Sequence, residues 1–322
     1  MVRMSSLKPA LPHDILRLVF EQAALDDRRT ALRLVLVSRL VQCWIDRILY
    51  SVVNLHRETT CRAFLRTIET SRTKSRAFFA THVKSLCISH DIYNDRTVRI
   101  INACRGVSDL TFWVVPVTTW KRPYCPPHQE IAAALEPLRP KKLSVLLHGI
   151  LGSPYPQFHL SFFQKITHLS VINKWEDWTT WWGFELLPCL THLSFDIRVG
   201  PRSLDNRTAY TVAQALHAVL SRCPHLRVCV LLLLFDPCPG FTAATIANIM
   251  PGPQRDPRLV FMRDSEPFLD REAHSLREAR IWKSAEETSD LQTSGAGILL
   301  SWYSFWAVSL TTPRFLFYPI RS

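Results

Sequence analysis

The amino-terminal part of the chain has apolar residues at helical spacing. Between residues 11 and 50, three apolar stripes follow the period of an α-helix, and polar segments separate them. Pro12 suits the first turn of the first helix, and Thr30 is a suitable N-cap for the second. The stripes are Ile15, Leu16, Val19, Phe20 and Ala23, then Leu32, Val35 and Leu36, then Val41, Trp44, Ile45, Ile48 and Leu49. A segment of this length cannot bury such wide faces alone, so the pattern predicts three helices that need a partner surface.

A second pattern repeats through the rest of the chain. Six segments share the template apolar-x-x-Leu-x-apolar, with leucines 24 to 33 residues apart. These leucines are Leu86, Leu110, Leu143, Leu169, Leu193 and Leu226, and Leu259 marks a weaker seventh segment. Stretches with helical character lie between them at 95–104, 127–136 and 208–222. The pattern resembles an irregular leucine-rich-repeat solenoid, in which stacked strand-and-helix units share one core. A general α/β layer is the alternative.

The residues just before the repeat leucines form a predicted column on the sheet. Side chains alternate along a strand, so the leucine and the residue two positions later face the core, and the residue before the leucine faces solvent. Five residues of this column, together with two residues that follow a repeat leucine by three positions, predict a polar target-binding surface. The residues of this surface are Asp109, Trp113, Lys142, His168, His192, Asp196 and His225. Unperturbed histidines titrate near pH 6.5, so such a surface would respond to pH between about 7.5 and 5.5. A solvated polar column without function is the alternative.

The amino-terminal helices resemble a known family. The stretches LPHDILRLVF and LRLVLVSRLVQCWIDRILY resemble an F-box, in particular the F-box-like domains of fungal proteins. The matching residues are Leu11, Pro12, Ile15, Leu16 and Phe20, then Val37, Ser38, Arg39, Trp44, Leu49 and Tyr50. The resemblance implies docking to a Skp-type adaptor and through it to a cullin scaffold. The implied adaptor-binding residues are Leu11, Pro12, Ile15, Leu16, Val37, Ser38 and Trp44. An unrelated three-helix bundle is the alternative.

Composition argues against enzyme chemistry. The chain has only 9 glycines in 322 residues, and it contains no P-loop, dinucleotide fingerprint or nucleophile elbow. Its 9 cysteines include no C-x-x-C pair, which disfavours structural zinc and fits free thiols in the cytoplasm or nucleus. The apolar stretch at 297–310 is shorter than the roughly 20 residues of a membrane-spanning helix. We therefore expect a non-catalytic protein without cofactor, metal or membrane segment.

The net charge of +12 leaves a second function open. Basic residues are in excess at 54–89, either as a solvated face or as an anion site. The alternative function is a non-catalytic leucine-rich scaffold whose basic flank binds nucleic acid or another polyanion, although we do not expect nucleic acid as a partner. A steep salt dependence of binding would distinguish that function.

The patterns together predict an α/β protein with a small three-helix F-box-like domain followed by an irregular leucine-rich-repeat solenoid. We expect the helical domain at 1–53, the solenoid at 54–290 and an unassigned apolar tail at 291–322. Residues 270–287 are predicted to form an amphipathic helix, with Ala273, Leu276, Arg280 and Trp282 on its inner side. The expected function is substrate recognition in a Skp–cullin–F-box ubiquitin ligase, in which the repeats bind a target protein.

Overall fold

Helices and strands alternate along the chain. A computed structural model describes residues 11–89, 94–113, 129–147, 155–198, 205–234, 239–250, 256–264 and 274–294. The helices are α1 (His13–Asp26), α2 (Arg28–Leu34), α3 (Arg39–Leu49), α4 (Glu58–Thr70), α5 (Arg76–His82), α6 (Asn94–Ala103), α7 (Gln129–Leu135), α8 (Trp175–Trp178), α9 (Asn206–Arg222), α10 (Pro239–Ile249) and α11 (His274–Thr293). The strands are β1 (Val52–Leu55), β2 (Ser85–Ile88), β3 (Asp109–Phe112), β4 (Lys142–Val145), β5 (His168–Val171), β6 (His192–Arg198), β7 (Val228–Leu234) and β8 (Leu259–Asp264).

The eight strands form one parallel sheet. Their order in the sheet is their order in the chain, from β1 to β8, and every neighbouring pair is parallel. Each strand therefore pairs only with the strands just before and just after it in sequence. Parallel neighbours need a crossover connection, which α4 to α10 and two short 3-10 turns supply among the described residues. The predicted α/β class is confirmed.

The strand register agrees with the repeat template in five units. Leu86, Leu110, Leu143, Leu169 and Leu193 lie side by side on adjacent strands and are at most 2% exposed. Their common burial confirms the predicted register for β2 to β6. The helices α6, α7 and α9 also agree with the helical stretches predicted between the repeat leucines.

The sixth unit was predicted three residues out of register. Cys229, not Leu226, pairs with Leu193, so Leu226 lies in the turn before β7. Every residue of β7 is buried, and its sequence VCVLLLL is apolar at every position. A strand without alternation carries no signal of register, so the template matched the buried Leu226 instead.

The first strand was not predicted from the sequence. In β1, Val53 lies beside Leu86 and takes the place of the repeat leucine. A template that requires leucine at this position therefore misses the strand. Since β1 covers Val52–Leu55, it spans the boundary predicted between residues 53 and 54.

The two faces of the sheet have separate cores. The main core contains the repeat leucines and the inner faces of the crossover helices. On the opposite face, α11 packs Trp282 and Ala285 against Val228, Val230 and Val260 of β7 and β8. The predicted solvent exposure of this face is therefore wrong for the part that α11 covers.

The buried side of α11 differs in part from the prediction. Trp282, Ala285 and Ser289 are buried at helical spacing, which confirms Trp282 on the inner side. Arg280 is exposed, so its predicted inward position is wrong. Ala273 and the side chain of Leu276 lie outside the described residues, as do residues 295–322 of the predicted tail. None of the helices in the described ranges is long and apolar enough to cross a membrane.

The amino-terminal helices begin at polar caps. Asp27 precedes α2, and its carboxylate accepts hydrogen bonds from the backbone amides of Arg29 and Thr30. Thr30 is thus inside the helix and donates its own hydroxyl to Asp27, so the predicted Thr30 cap is wrong. Aspartate is among the strongest N-caps because its carboxylate satisfies orphan amides. Ser38 caps α3 by accepting from the amide of Val41.

Candidate functional site

The first candidate surface is apolar and lies on α1 to α3. Of the fifteen large hydrophobic residues exposed in the described ranges, nine lie between residues 11 and 40. We call these nine residues the docking surface. They are Leu11, Ile15, Leu18, Val19, Leu25, Leu32, Leu36, Val37 and Leu40. Isolated exposed leucines are ordinary in proteins, but a concentration of this kind in one segment is typical of an interaction site.

The small core of these helices explains the docking surface. Only Ala24, Ala31, Val41 and Ile45 are buried there, and two of the four are alanines. Alanine allows the three helices to approach closely but contributes little apolar area to the core. The larger side chains of the segment consequently remain outside it.

The predicted adaptor-binding residues divide into two groups. Leu11, Pro12, Ile15, Val37 and Ser38 are exposed, although the Ser38 hydroxyl also caps α3. Leu16 is half-buried, and Trp44 packs against the small core. The expectation that Leu16 lies on an exposed apolar edge holds only in part. Trp44 mainly stabilises the helices themselves.

The predicted buried stripe of α2 is wrong at two positions, because Leu32 and Leu36 are exposed. Ile15 and Val19 of α1, on the apolar face predicted to need a partner surface, are exposed as well. Leu18, Leu25 and Leu40 were not singled out and belong to the docking surface. A signal for them exists in the sequence, because Leu11, Ile15, Leu18 and Leu25 follow the spacing i, i+4, i+7, i+14 of a second helical face.

The second candidate surface is the face of β5 and β6 under α11. Ser170 donates its hydroxyl to Glu278 Oε1 at 2.8 Å, and His192 Nε2 donates to Glu286 Oε1 at 2.9 Å. The indole of Trp282 lies edge-on to the imidazoles of both His168 and His192, with ring centroids 5.4 and 5.6 Å apart. Three residues of α11 thus hold the helix on this face.

The two histidines form a stacked pair. Their rings are parallel to within 1°, with centroids 4.1 Å apart, because His168 and His192 are register partners on adjacent strands. The Nδ1 atom of each ring is hydrogen-bonded to the hydroxyl of the preceding threonine, Thr167 or Thr191, at 2.9 and 2.8 Å. Both imidazoles are therefore fixed in orientation from one side and packed against Trp282 on another.

Burial keeps the histidine pair neutral. It lowers the pKa of His168 to about 3, and the neighbouring His192 and Lys142 act in the same direction. Burial also lowers the pKa of His192, although the Glu286 carboxylate opposes the shift. The expectation that His168 titrates between pH 7.5 and 5.5 is therefore wrong, because desolvation disfavours the imidazolium form.

The structure brings only part of the predicted target-binding column together. Asp109, Lys142, His168 and His192 are register partners on β3 to β6. Lys142 is exposed and Asp109 and His168 are half-buried, whereas His192 is only 3% exposed, so its predicted solvent exposure is wrong. His225 is exposed but lies in the turn before β7, three residues before the strand residue that pairs with His192. Its place in the column is therefore also wrong.

The remaining two residues of that surface have internal contacts. Trp113 is half-buried and donates its indole N–H to the Ser144 hydroxyl at 3.0 Å. Asp196 is half-buried on β6, and its backbone carbonyl accepts a hydrogen bond from the indole of Trp178. Both residues therefore have contacts that stabilise the sheet.

The described part of the chain contains possible metal ligands and thiols. It contains no group of three or more His, Cys, Asp or Glu residues that would hold a metal ion. Burial raises the pKa of Cys87, Cys104 and Cys229 to about 12, which keeps these thiols protonated. A protonated thiol is a poor nucleophile and a poor metal ligand.

Acidic residues neutralise part of the basic segment at 54–89. Glu58 forms ion pairs with Arg62 and Arg96, and Glu69 pairs with Arg99. Lys74 pairs with Asp46 of α3 at 2.9 Å. Within the segment, Arg62 and Lys74 thus have acidic partners, whereas Arg96 and Arg99 lie outside it. The pairing weakens the argument for an anion site at Arg62 and Lys74.

Comparisons of the chain with protein-family models, with curated proteins and with solved structures give no significant match.

Proposed function

We propose that this chain is the substrate-recognition subunit of a Skp–cullin–F-box ubiquitin ligase. In this proposal the docking surface binds a Skp-type adaptor, and the sheet holds a target protein. The observation that supports it most is the concentration of exposed apolar residues on α1 to α3, at positions 11–40. The resemblance of the same segment to an F-box supplies the identity of the partner.

The way these helices join the sheet supports a role in positioning a target. Tyr50, at the end of α3, packs against Phe64, Phe78 and Phe79 of the first crossover helices. The Lys74–Asp46 ion pair links the same two parts of the chain. A firm connection of this kind would hold a target at a set distance from the ligase, and transfer of ubiquitin depends on such proximity.

Adaptor capture by a double variant tests this proposal. Leu11 and Leu18 are 47% and 61% exposed, so the change to alanine at both positions leaves the small core intact. We expect L11A/L18A to lose a Skp-type adaptor in co-purification, because truncation of one hot-spot residue costs about 2–4 kcal/mol of binding free energy. Each such loss weakens binding by roughly 30-fold or more.

The matched control removes two exposed leucines elsewhere. Leu186 and Leu291 are 51% and 46% exposed, and L186A/L291A should retain the adaptor at the level of the parent. Circular dichroism establishes that both double variants are folded. Equal adaptor capture by L11A/L18A and by the parent would contradict the proposal.

A further inference from the structure

Three side chains of α11 meet the sheet at a regular interval. Glu278, Trp282 and Glu286 are four residues apart, so they lie along one face of the helix. Each has a defined contact on β5 or β6: Glu278 with Ser170, Trp282 with the stacked histidines, and Glu286 with His192. The sheet thus contacts α11 through the pattern Glu-x-x-x-Trp-x-x-x-Glu.

We propose that the face of β5 to β8 under α11 is a helix-recognition surface, and that a helix of a partner protein with this pattern displaces α11 from it. The partner helix carries a tryptophan with an acidic residue four positions before it and another four positions after it. The identification of this partner as the ligase target rests on the proposed function. The exchange of α11 for a partner helix is independent of the proposed function.

The chemistry of the surface favours an acidic partner. Ser170 and His192 both present hydrogen-bond donors to carboxylates. Lys142 on β4 and Arg227 just before β7 are exposed and lie close enough to affect the charge state of His192. Positive charge at the border of the surface attracts a helix with acidic residues at the contact positions.

The separation of the two cores makes α11 replaceable. The main core lies on the other face of the sheet and contains none of the α11 residues whose side chains the structure describes. At β5 and β6, α11 is held by two hydrogen bonds and the edge of one indole, and the Glu286 side chain is 41% exposed. Removal of α11 would therefore leave the repeat leucines in place.

The same face cannot stay uncovered. Without α11, the side chains of Val230, Leu232, Leu234 and Val260 would lose the cover that Trp282 and Ala285 give them. A contiguous apolar row on a sheet face is unfavourable in water, so the surface prefers to be covered by one helix or another. We therefore expect exchange with a partner helix rather than simple opening.

A labelled peptide with the sequence of residues 274–293 tests the exchange on the full chain. The parent should bind it weakly, because a helix in the same chain competes at a high effective concentration. In E278Q/E286Q the internal helix loses both carboxylates, and we expect the apparent affinity for the peptide to rise by roughly tenfold. The control E287Q changes an exposed glutamate of the same helix and should bind the peptide like the parent.

A peptide with W282A should bind to E278Q/E286Q roughly tenfold more weakly than the unchanged peptide.

Hydrogen exchange on the unmodified chain gives an independent test. We expect the amides of α11 to exchange faster than the amides of α9, whose inner face lies in the main core. Protection of α11 equal to that of α9 would overturn the proposal, as would equal peptide binding by E278Q/E286Q and E287Q. No adaptor is present in either measurement, so failure of adaptor docking and failure of helix exchange are separate outcomes.

Discussion

His192 and Leu193 are neighbours in β6 that point to opposite faces of the sheet, and both are buried. Leu193 belongs to the main core, whereas His192 is covered by α11 and hydrogen-bonded to Glu286. The two buried side chains contribute differently to the free energy of unfolding. Leu193 is surrounded by apolar side chains, while the Glu286 carboxylate, 41% exposed, would be hydrated if the imidazole were removed.

We expect unequal stability losses at these two positions. Leu193→Ala should lower the free energy of unfolding by about 2–5 kcal/mol, because it leaves a cavity in the main core. His192→Ala should cost less, about 1–2 kcal/mol, because it removes two hydrogen bonds and ring contacts beside the Glu286 carboxylate, which water can reach. Denaturant titrations of both variants measure the difference. His225→Ala, in an exposed turn, is the control and should change stability by less than about 0.5 kcal/mol. Equal losses at Leu193 and His192 would contradict the assignment of the two faces.

At the scale of elements, an ion pair between Lys74 and Asp46 connects the amino-terminal helices to the sheet. Lys74 follows α4, and its ammonium group lies 2.9 Å from Asp46 of α3 and 5.4 Å from the centre of the Tyr50 ring. The side chains of Lys74 and Asp46 are only 10% and 13% exposed. An ion pair with so little access to water depends on both partners, since either charge alone would be poorly solvated.

A double-mutant cycle measures the interaction free energy of Lys74 and Asp46. Lys74→Met should lower the free energy of unfolding by up to about 3 kcal/mol, because Asp46 keeps its charge without a counter-ion. The change Asp46→Asn in the same chain should recover part of that loss. Lys84→Met, at an exposed lysine, is the control and should have little effect. Strict additivity of Lys74→Met and Asp46→Asn would show that the two side chains do not interact.

At the scale of the whole molecule, the positive net charge does not by itself imply a binding site for a polyanion. The chain has a charge of +12, yet Glu58, Glu69 and Asp46 already pair with basic residues of the first units. A polyanion site needs positive groups that are free to replace counter-ions. We expect a protein partner rather than nucleic acid, because Arg62 and Lys74 of the basic segment already have acidic partners.

The salt dependence of DNA binding tests this conclusion. Binding to duplex DNA, followed by fluorescence anisotropy between low and physiological salt, should be weak, with a slope of log K against log salt no steeper than about −2. This slope corresponds to roughly two phosphate contacts. A slope of about −5 or steeper would instead support the leucine-rich scaffold that binds a polyanion.

The sequence alone determined the α/β class, the helices α6, α7 and α9, and the register of five strands. These features are local, because side chains alternate in direction along a strand and a leucine template therefore specifies which side faces the core. The apolar segment at residues 11–50, which carries the docking surface, was also visible in the sequence. Which of its apolar stripes is buried was not visible, since that choice depends on how closely α1 and α2 pack in the small core through Ala24 and Ala31.

Only the tertiary structure decided what covers the second face of the sheet. The contacts of Ser170 with Glu278 and of His192 with Glu286 join residues 108 and 94 positions apart. No periodic pattern reports such a distance, because periodicity describes one element and not its neighbour in space. The same limit applies to β7, whose uniform apolar sequence fits either face until both cores are assembled. The burial of His192 thus follows from the position of α11, and not from any property of its own strand.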